Sequence, residues 1–203
     1  MNINFKKLNR GFTFVEMLIG VAVFIVIALV VTLFAKNIWS YNSSVFASLT
    51  GTDTGRQTLK VMVAEIRTTS TADTGAYPID QASATSFTFY SDIDDDALKE
   101  KVRYFVSGTT LQKGVIKPTG SPLTYNAQNE VLTTLMQSLT SSSVFAYYDK
   151  NYDGTTAALS APVDIPLVRL IKITIVTDQD TNRPPAAMTF SSQVSIRNLK
   201  DNL

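Results

Sequence analysis

One carboxylate lies inside a long apolar run near the start of the chain. Residues 12–35 are 24 consecutive positions in which Glu16 is the only ionisable side chain. A charged side chain at the centre of a membrane helix costs about 2.5–3.5 kcal/mol on insertion scales, so such residues are functional by default. The chemistry that a lone carboxylate offers there is pairing with a cation where the dielectric constant is low.

A second group of oxygen ligands occurs in the segment "DKNYDG". Asp149, Asn151, Asp153 and Gly154 have the spacing of the first half of an EF-hand loop, in which alternate oxygen side chains wrap a calcium ion. The twelfth position, which should be a bidentate glutamate, is Ser160. The segment therefore predicts either a weak calcium site or an Asp-Gly turn that joins two strands.

The segment "SDIDDD" repeats this spacing with Asp92, Asp94 and Asp96. The twelfth position counted from Asp92 is Arg103, which cannot bind a cation. The pattern favours a solvated loop between strands. A shared cation with the Asp149 segment requires a fold that brings the two together.

Composition removes much of the known catalytic chemistry. The chain of 203 residues has no histidine and no cysteine, and its formal net charge is +1. Ser-His-Asp and Cys-His nucleophiles, disulfides and the commonest transition-metal ligands are therefore excluded. A near-neutral charge does not favour direct nucleic-acid binding.

The apolar run is long enough to anchor the chain in a membrane. As a helix, residues 12–35 extend roughly 36 Å, against a bilayer core of about 30 Å. Lys6, Lys7 and Arg10 precede the run, and by the positive-inside rule they stay in the cytoplasm. A cleaved secretory signal fits less well, because the run is too long and no A-x-A-like site follows it. We expect everything after Lys36 to lie outside the cytoplasm.

The segment "KKLNRGFTFVEML" closely resembles the prepilin signature of type IV pilins and type II secretion pseudopilins. The shared features are a short basic leader, a glycine, an aromatic residue, and a glutamate at the fifth position after the glycine. The resemblance implies cleavage by a membrane aspartyl peptidase between Gly11 and Phe12, followed by N-methylation of Phe12. Glu16 becomes the fifth residue of the mature chain.

This resemblance gives the isolated carboxylate a partner. Cleavage creates a cationic amine on Phe12, and helices staggered in a filament can place that amine beside Glu16 of a neighbouring subunit. Breaking one partner of such a buried pair costs about 3–5 kcal/mol. The alternative is that Glu16 lies at the headgroup level of an ordinary signal anchor.

Helical periodicity continues beyond the apolar run. Four apolar residues follow the i, i+3, i+4, i+7 rule, which predicts one helix face packed on a following domain. They are Leu59, Met62, Val63 and Ile66. Gly51 and Gly55 each cost about 1 kcal/mol of helix propensity and predict a weak point or kink.

The pattern changes to alternation after the turn-rich residues 71–78. Strands are predicted at residues 86–91, 100–108, 110–118, 143–148, 167–177 and 188–198. Residues 129–139 have apolar side chains at helical spacing, so we predict a short helix there, capped by Asn126 or Asn129.

These elements predict an α+β, pilin-like fold. Residues 1–11 are the expected leader, residues 12–70 a long N-terminal helix with its membrane-spanning part at 12–35, and residues 71–203 an antiparallel β-rich head. The architecture is most similar to the larger minor pilins and pseudopilins, which implies a structural subunit and not an enzyme.

The expected partners follow from the same resemblance. They are other pilin or pseudopilin subunits, the prepilin peptidase and N-methyltransferase, and the inner-membrane assembly machinery. We expect no required cofactor, with calcium possible at Asp149, Asn151 and Asp153. The alternative function is a membrane-anchored binding or adhesion domain that is not processed.

Overall fold

The chain forms one long helix followed by two antiparallel sheets. The computed structural model describes residues 11–178 and 186–199, with the backbone alone for residue 37 and residues 40–50. The chain divides into two compact units, with the boundary in the sequence between Phe46 and Ala47. The helix α1 extends over Phe14–Arg67.

The first unit contains the apolar part of α1. The segment Phe14–Lys36 has a mean hydropathy of 3.1 and none of it is buried within the protein. Its length and composition suffice to cross a membrane, and because its apolar side chains are exposed, the segment fits a membrane anchor.

The second unit contains two antiparallel meanders beside the last turns of α1. The first sheet has the order β1-β2-β3-β4-β5 and the second the order β6-β7-β8. The strands are β1 (Ile79–Ala82), β2 (Ser86–Ser91), β3 (Glu100–Ser107), β4 (Thr110–Ile116), β5 (Val131–Met136), β6 (Phe145–Tyr148), β7 (Leu170–Thr177) and β8 (Met188–Ser195). The α+β class with a long N-terminal helix is therefore confirmed.

One hydrophobic core joins the helix to both sheets. The helix contributes Leu59, Met62 and Ile66, which are buried in the same cluster as residues of β2, β3 and β7. The rings of Phe87 and Tyr147 lie 5.8 Å apart and connect the two sheets. The helical spacing of the apolar residues therefore predicted the buried face correctly.

The predicted helix at residues 129–139 is wrong. This segment forms β5, the edge strand paired with β4, and Val131 and Leu132 are mostly exposed. Its apolar spacing is compatible with a helix, but Thr133 and Thr134 are β-branched, and pairing with β4 satisfies the backbone. Asn126 does act as a cap, although of the short 3-10 turn Ala127–Asn129.

The helix α1 is not interrupted at Gly51 or Gly55, and it continues through both residues. A Cβ atom at Gly55 would lie 2.6 Å from Cε2 of Phe190 on β8. The glycine therefore allows the helix to approach the second sheet closely, which the sequence pattern did not predict.

Candidate functional site

The helix α1 begins with a reciprocal set of hydrogen bonds. Thr13 donates to Glu16 Oε2 from its backbone N–H at 2.9 Å and from its hydroxyl at 3.0 Å. The backbone N–H of Glu16 donates in turn to the Thr13 hydroxyl oxygen at 3.3 Å. This is a capping box, which satisfies backbone donors that a helix start otherwise leaves unpaired.

Sequence reasoning missed this capping box. The signal is present as "TFVE", a threonine followed three residues later by glutamate at the start of an apolar run. Glu16 therefore has a partner within its own chain, in addition to the intersubunit partner predicted from the resemblance. The negative charge also lies in the first helical turn, where the helix dipole favours it.

Gly11 and Phe12 lie immediately before the capping box and outside the helix. Both residues are exposed, Phe12 to 90%, and apart from the adjoining residues no described part of the chain lies within 4 Å of a Cβ built on Gly11. The peptide bond between them is therefore accessible, in a non-helical stretch that ends abruptly at Thr13.

The segment around this bond matches a known motif. The prokaryotic N-terminal methylation motif matches residues 6–32. The chain carries a type IV prepilin signature. None of the curated proteins compared with the chain matches it. The match covers Gly11, Phe12 and Glu16. It also covers Lys6, Lys7 and Arg10, which lie outside the residues that the structure describes.

The prepilin signature and the fold support one another. A motif for N-terminal methylation lies at the start of an exposed apolar helix, and antiparallel sheets follow, which fits a pilin-like fold. The signature is typical of structural subunits that assemble with other pilins and are processed by a prepilin peptidase. Cleavage after Gly11 and methylation of Phe12 remain predictions for this chain.

A polar network attaches the last turns of α1 to the first sheet. Lys113 Nζ on β4 donates to Glu65 Oε1 at 2.6 Å, and the Tyr104 hydroxyl on β3 donates to Glu65 Oε2. Burial and the adjacent Glu65 carboxylate raise the pKa of Tyr104, so the phenol stays protonated and remains a donor. The helix is therefore held to the head by charge as well as by apolar packing.

The predicted calcium segment forms an exposed turn. Asp149 accepts hydrogen bonds from the backbone N–H and the side-chain amide of Asn151, both at 2.9 Å. One oxygen of Asp153 accepts from both the backbone and the hydroxyls of Thr155 and Thr156, and these bonds lower the pKa of Asp153. The geometry is that of an Asx turn, and calcium binding there stays a prediction.

The second acidic segment forms the loop between β2 and β3. Within the described residues, three acids bring carboxylate oxygens together, namely Asp92, Asp94 and Glu100. Asp96 was predicted with the first two but instead accepts from Leu98 N and from Lys117. Glu100 was missed because it belongs to the strand and not to the acidic run.

Proposed function

We propose that the chain is a minor pilin or pseudopilin, a structural subunit of a type IV pilus or a type II secretion-like filament. Prepilin peptidase cuts it between Gly11 and Phe12, and Phe12 is then N-methylated. The subunit assembles through its N-terminal helix with other pilin or pseudopilin subunits, with the aid of the inner-membrane assembly machinery.

One observation carries this proposal. Within the matched methylation motif, the bond between Gly11 and Phe12 is exposed and non-helical, and the helix begins two residues later at a hydrogen-bonded cap. Proteases cut accessible segments that lie outside regular secondary structure. The capping box marks the end of such a segment, because the helix begins there. Cutting here leaves the helix intact and places a new amine next to its first turn.

The new amine supplies the charge that Glu16 needs in a filament. Staggered helices bring the amine of Phe12 in one subunit beside the carboxylate of Glu16 in another. Each charged group then has the other as its partner in place of water. The capping box holds the carboxylate at the first turn, so its position is fixed before assembly.

The same features support a location. The apolar segment Phe14–Lys36 fits a single membrane pass, and the basic residues Lys6, Lys7 and Arg10 favour a cytoplasmic leader. The head is then extracytoplasmic, first at the inner membrane and later in a filament at the cell surface or in the periplasm.

Filament incorporation tests the proposal. The chain with a C-terminal tag is expressed in its native cells, and sheared filaments are compared between strains with and without prepilin peptidase. We expect the shortened chain in the filament fraction only when the peptidase is present. Gly11→Val is expected to block processing, whereas Gly20→Val, a change in the apolar helix away from the cut, leaves processing unchanged.

The alternative is a membrane-anchored binding or adhesion domain that is not processed. It predicts a full-length chain in the membrane fraction of both strains, with no difference between the two glycine variants. That result would overturn the proposed filament function.

A further inference from the structure

Three carboxylates converge where the loop after β2 meets the start of β3. One oxygen each from Asp92, Asp94 and Glu100 lies within 4.8 Å of the other two. We call these three residues the acidic pocket. Like charges at this distance repel one another strongly unless a cation or a proton lies among them.

Glu100 shows that this cluster is more than a solvated surface patch. Its side chain is 0% exposed, and its Oε2 accepts a hydrogen bond from Ile93 N at 3.1 Å. Its second oxygen, Oε1, is buried and has no hydrogen-bond partner. Buried carboxylate oxygens are normally paired or bound to a metal, because an unpaired buried charge is very costly.

Asp92 repeats this arrangement. Its Oδ2 accepts from Ala97 N at 3.1 Å, whereas Oδ1 is buried without a hydrogen-bond partner. In both residues one oxygen is therefore held by the loop backbone, while the other is buried and has no hydrogen-bond partner. Two buried, unpartnered oxygens in residues that cluster with Asp94 are a second, independent indication of a ligand.

Among the described residues, one basic side chain reaches the acidic pocket, and it pairs with Asp94 only. Lys117 Nζ pairs with Asp94 Oδ2 and also with Asp96 Oδ2, outside the pocket. Lys99 donates to Asp73 from both its backbone N–H and its side chain.

We propose that the acidic pocket is a binding site for one calcium ion, with Asp92, Asp94 and Glu100 as its protein carboxylate ligands. All three donors are oxygen, which selects a hard cation over zinc or copper. Calcium accepts several carboxylate ligands in a flexible geometry, whereas magnesium keeps several of its waters and is usually held by only one or two carboxylates. Three carboxylates around one ion therefore favour calcium.

The site differs from the exposed turn at Asp149 and Asp153. There each carboxylate accepts bonds from neighbouring residues of its own turn. The ion in the acidic pocket connects the loop after β2 to the first residue of β3, so binding stabilises the end of two central strands of the first sheet. This inference does not depend on filament assembly.

The test uses the full-length protein in detergent micelles, with calcium chloride as the only added ligand. Equilibrium dialysis and thermal melting are run on wild type, Glu100→Gln and Asp92→Asn, with Asp153→Asn as the matched control. Weak extracellular sites have dissociation constants of about 10⁻⁴–10⁻³ M, so 10 mM calcium is expected to raise the melting temperature by roughly 3–10 °C.

We expect wild type and Asp153→Asn to bind one calcium ion, and Glu100→Gln to bind it at least tenfold more weakly. Without calcium, Glu100→Gln should melt at the wild-type temperature or above it, because glutamine still accepts the Ile93 bond without a buried charge. If Glu100→Gln fails to fold, Asp92→Asn replaces it in the test, and this variant should also bind calcium at least tenfold more weakly than wild type.

Three results would overturn the proposal. They are no calcium binding by the wild type at 10 mM, undiminished binding by both acidic-pocket variants, and binding that is lost in Asp153→Asn instead. The last result assigns the ion to the exposed turn.

Discussion

Two substitutions at the start of α1 separate the two interactions assigned to Glu16. Glu16→Gln keeps a side-chain oxygen that accepts the 2.9 Å bond from Thr13 N, but it removes the negative charge. Thr13→Ala keeps the charge and removes the two bonds of the hydroxyl, at 3.0 and 3.3 Å. Each variant therefore removes one function and leaves the other.

The expected magnitudes differ widely. Losing a threonine cap costs about 1 kcal/mol, and the loss is confined to the first turn of a long helix. Losing one partner of a buried charge pair costs about 3–5 kcal/mol, which corresponds to roughly a 150- to 4,000-fold reduction in incorporation. Glu16→Gln should therefore be nearly absent from filaments, whereas Thr13→Ala should remain within a few-fold of wild type.

The assay is a competition in one cell. Each variant is expressed beside wild type with a distinguishable tag, and mass spectrometry measures the ratio of the two in sheared filaments and in membranes. The membrane fraction also reports whether the variant is cut after Gly11. Incorporation of Glu16→Gln at the wild-type ratio would refute the charge-pairing argument, and equal exclusion of both variants would assign the effect to capping.

Two further predictions concern the attachment of the helix to the head. Gly55→Ala should destabilise the protein by about 1–3 kcal/mol because its Cβ meets Phe190 at 2.6 Å, but in a Phe190→Ala background it should stabilise by about 1 kcal/mol through helix propensity. A double-mutant cycle measured by chemical denaturation checks this. If the effect of Gly55→Ala on the free energy of unfolding has the same sign in both backgrounds, the packing argument is contradicted. Glu65→Gln should cost roughly 2–4 kcal/mol by leaving Lys113 half-buried and unpaired, whereas the control Asp80→Asn, in a more exposed ion pair, should cost under about 1 kcal/mol. Equal losses in the two variants would mean that burial of the Glu65 pair has no energetic effect.

The features that depend on local spacing could be predicted from the sequence. The apolar length of residues 12–35, the positions of Gly11 and Glu16, and the alternation in the strands all act over a few residues. The helix face with Met62 and Ile66 is also local, because helical geometry brings positions three and four apart together. These predictions agree with the helix and most of the strands of the structure.

The errors occur where pairing with a distant segment decides the structure. β5 is a strand because β4 offers it a partner, and β1 was missed because its four residues follow directly on a turn-rich stretch. A short apolar segment is compatible with either element until its neighbour is known. The helical spacing at residues 129–139 could not reveal that neighbour.

The acidic residues show the same limit. The EF-hand-like spacing made Asp149 and Asp153 candidate calcium ligands, but their carboxylate oxygens accept hydrogen bonds from backbone N–H groups within the turn. The oxygens that converge belong to Asp92, Asp94 and Glu100, because the backbone N–H groups of the loop orient two of these side chains. Ligand spacing can be read along a sequence, whereas the closure of a loop onto a strand cannot.

The most direct test of the central claim is mass spectrometry of the N-terminus of the protein purified from its native cells. Processing as a prepilin predicts a chain that begins at N-methylated Phe12 and lacks Lys6, Lys7 and Arg10. A chain that retains residues 1–11, or that begins anywhere other than Phe12, would contradict the account.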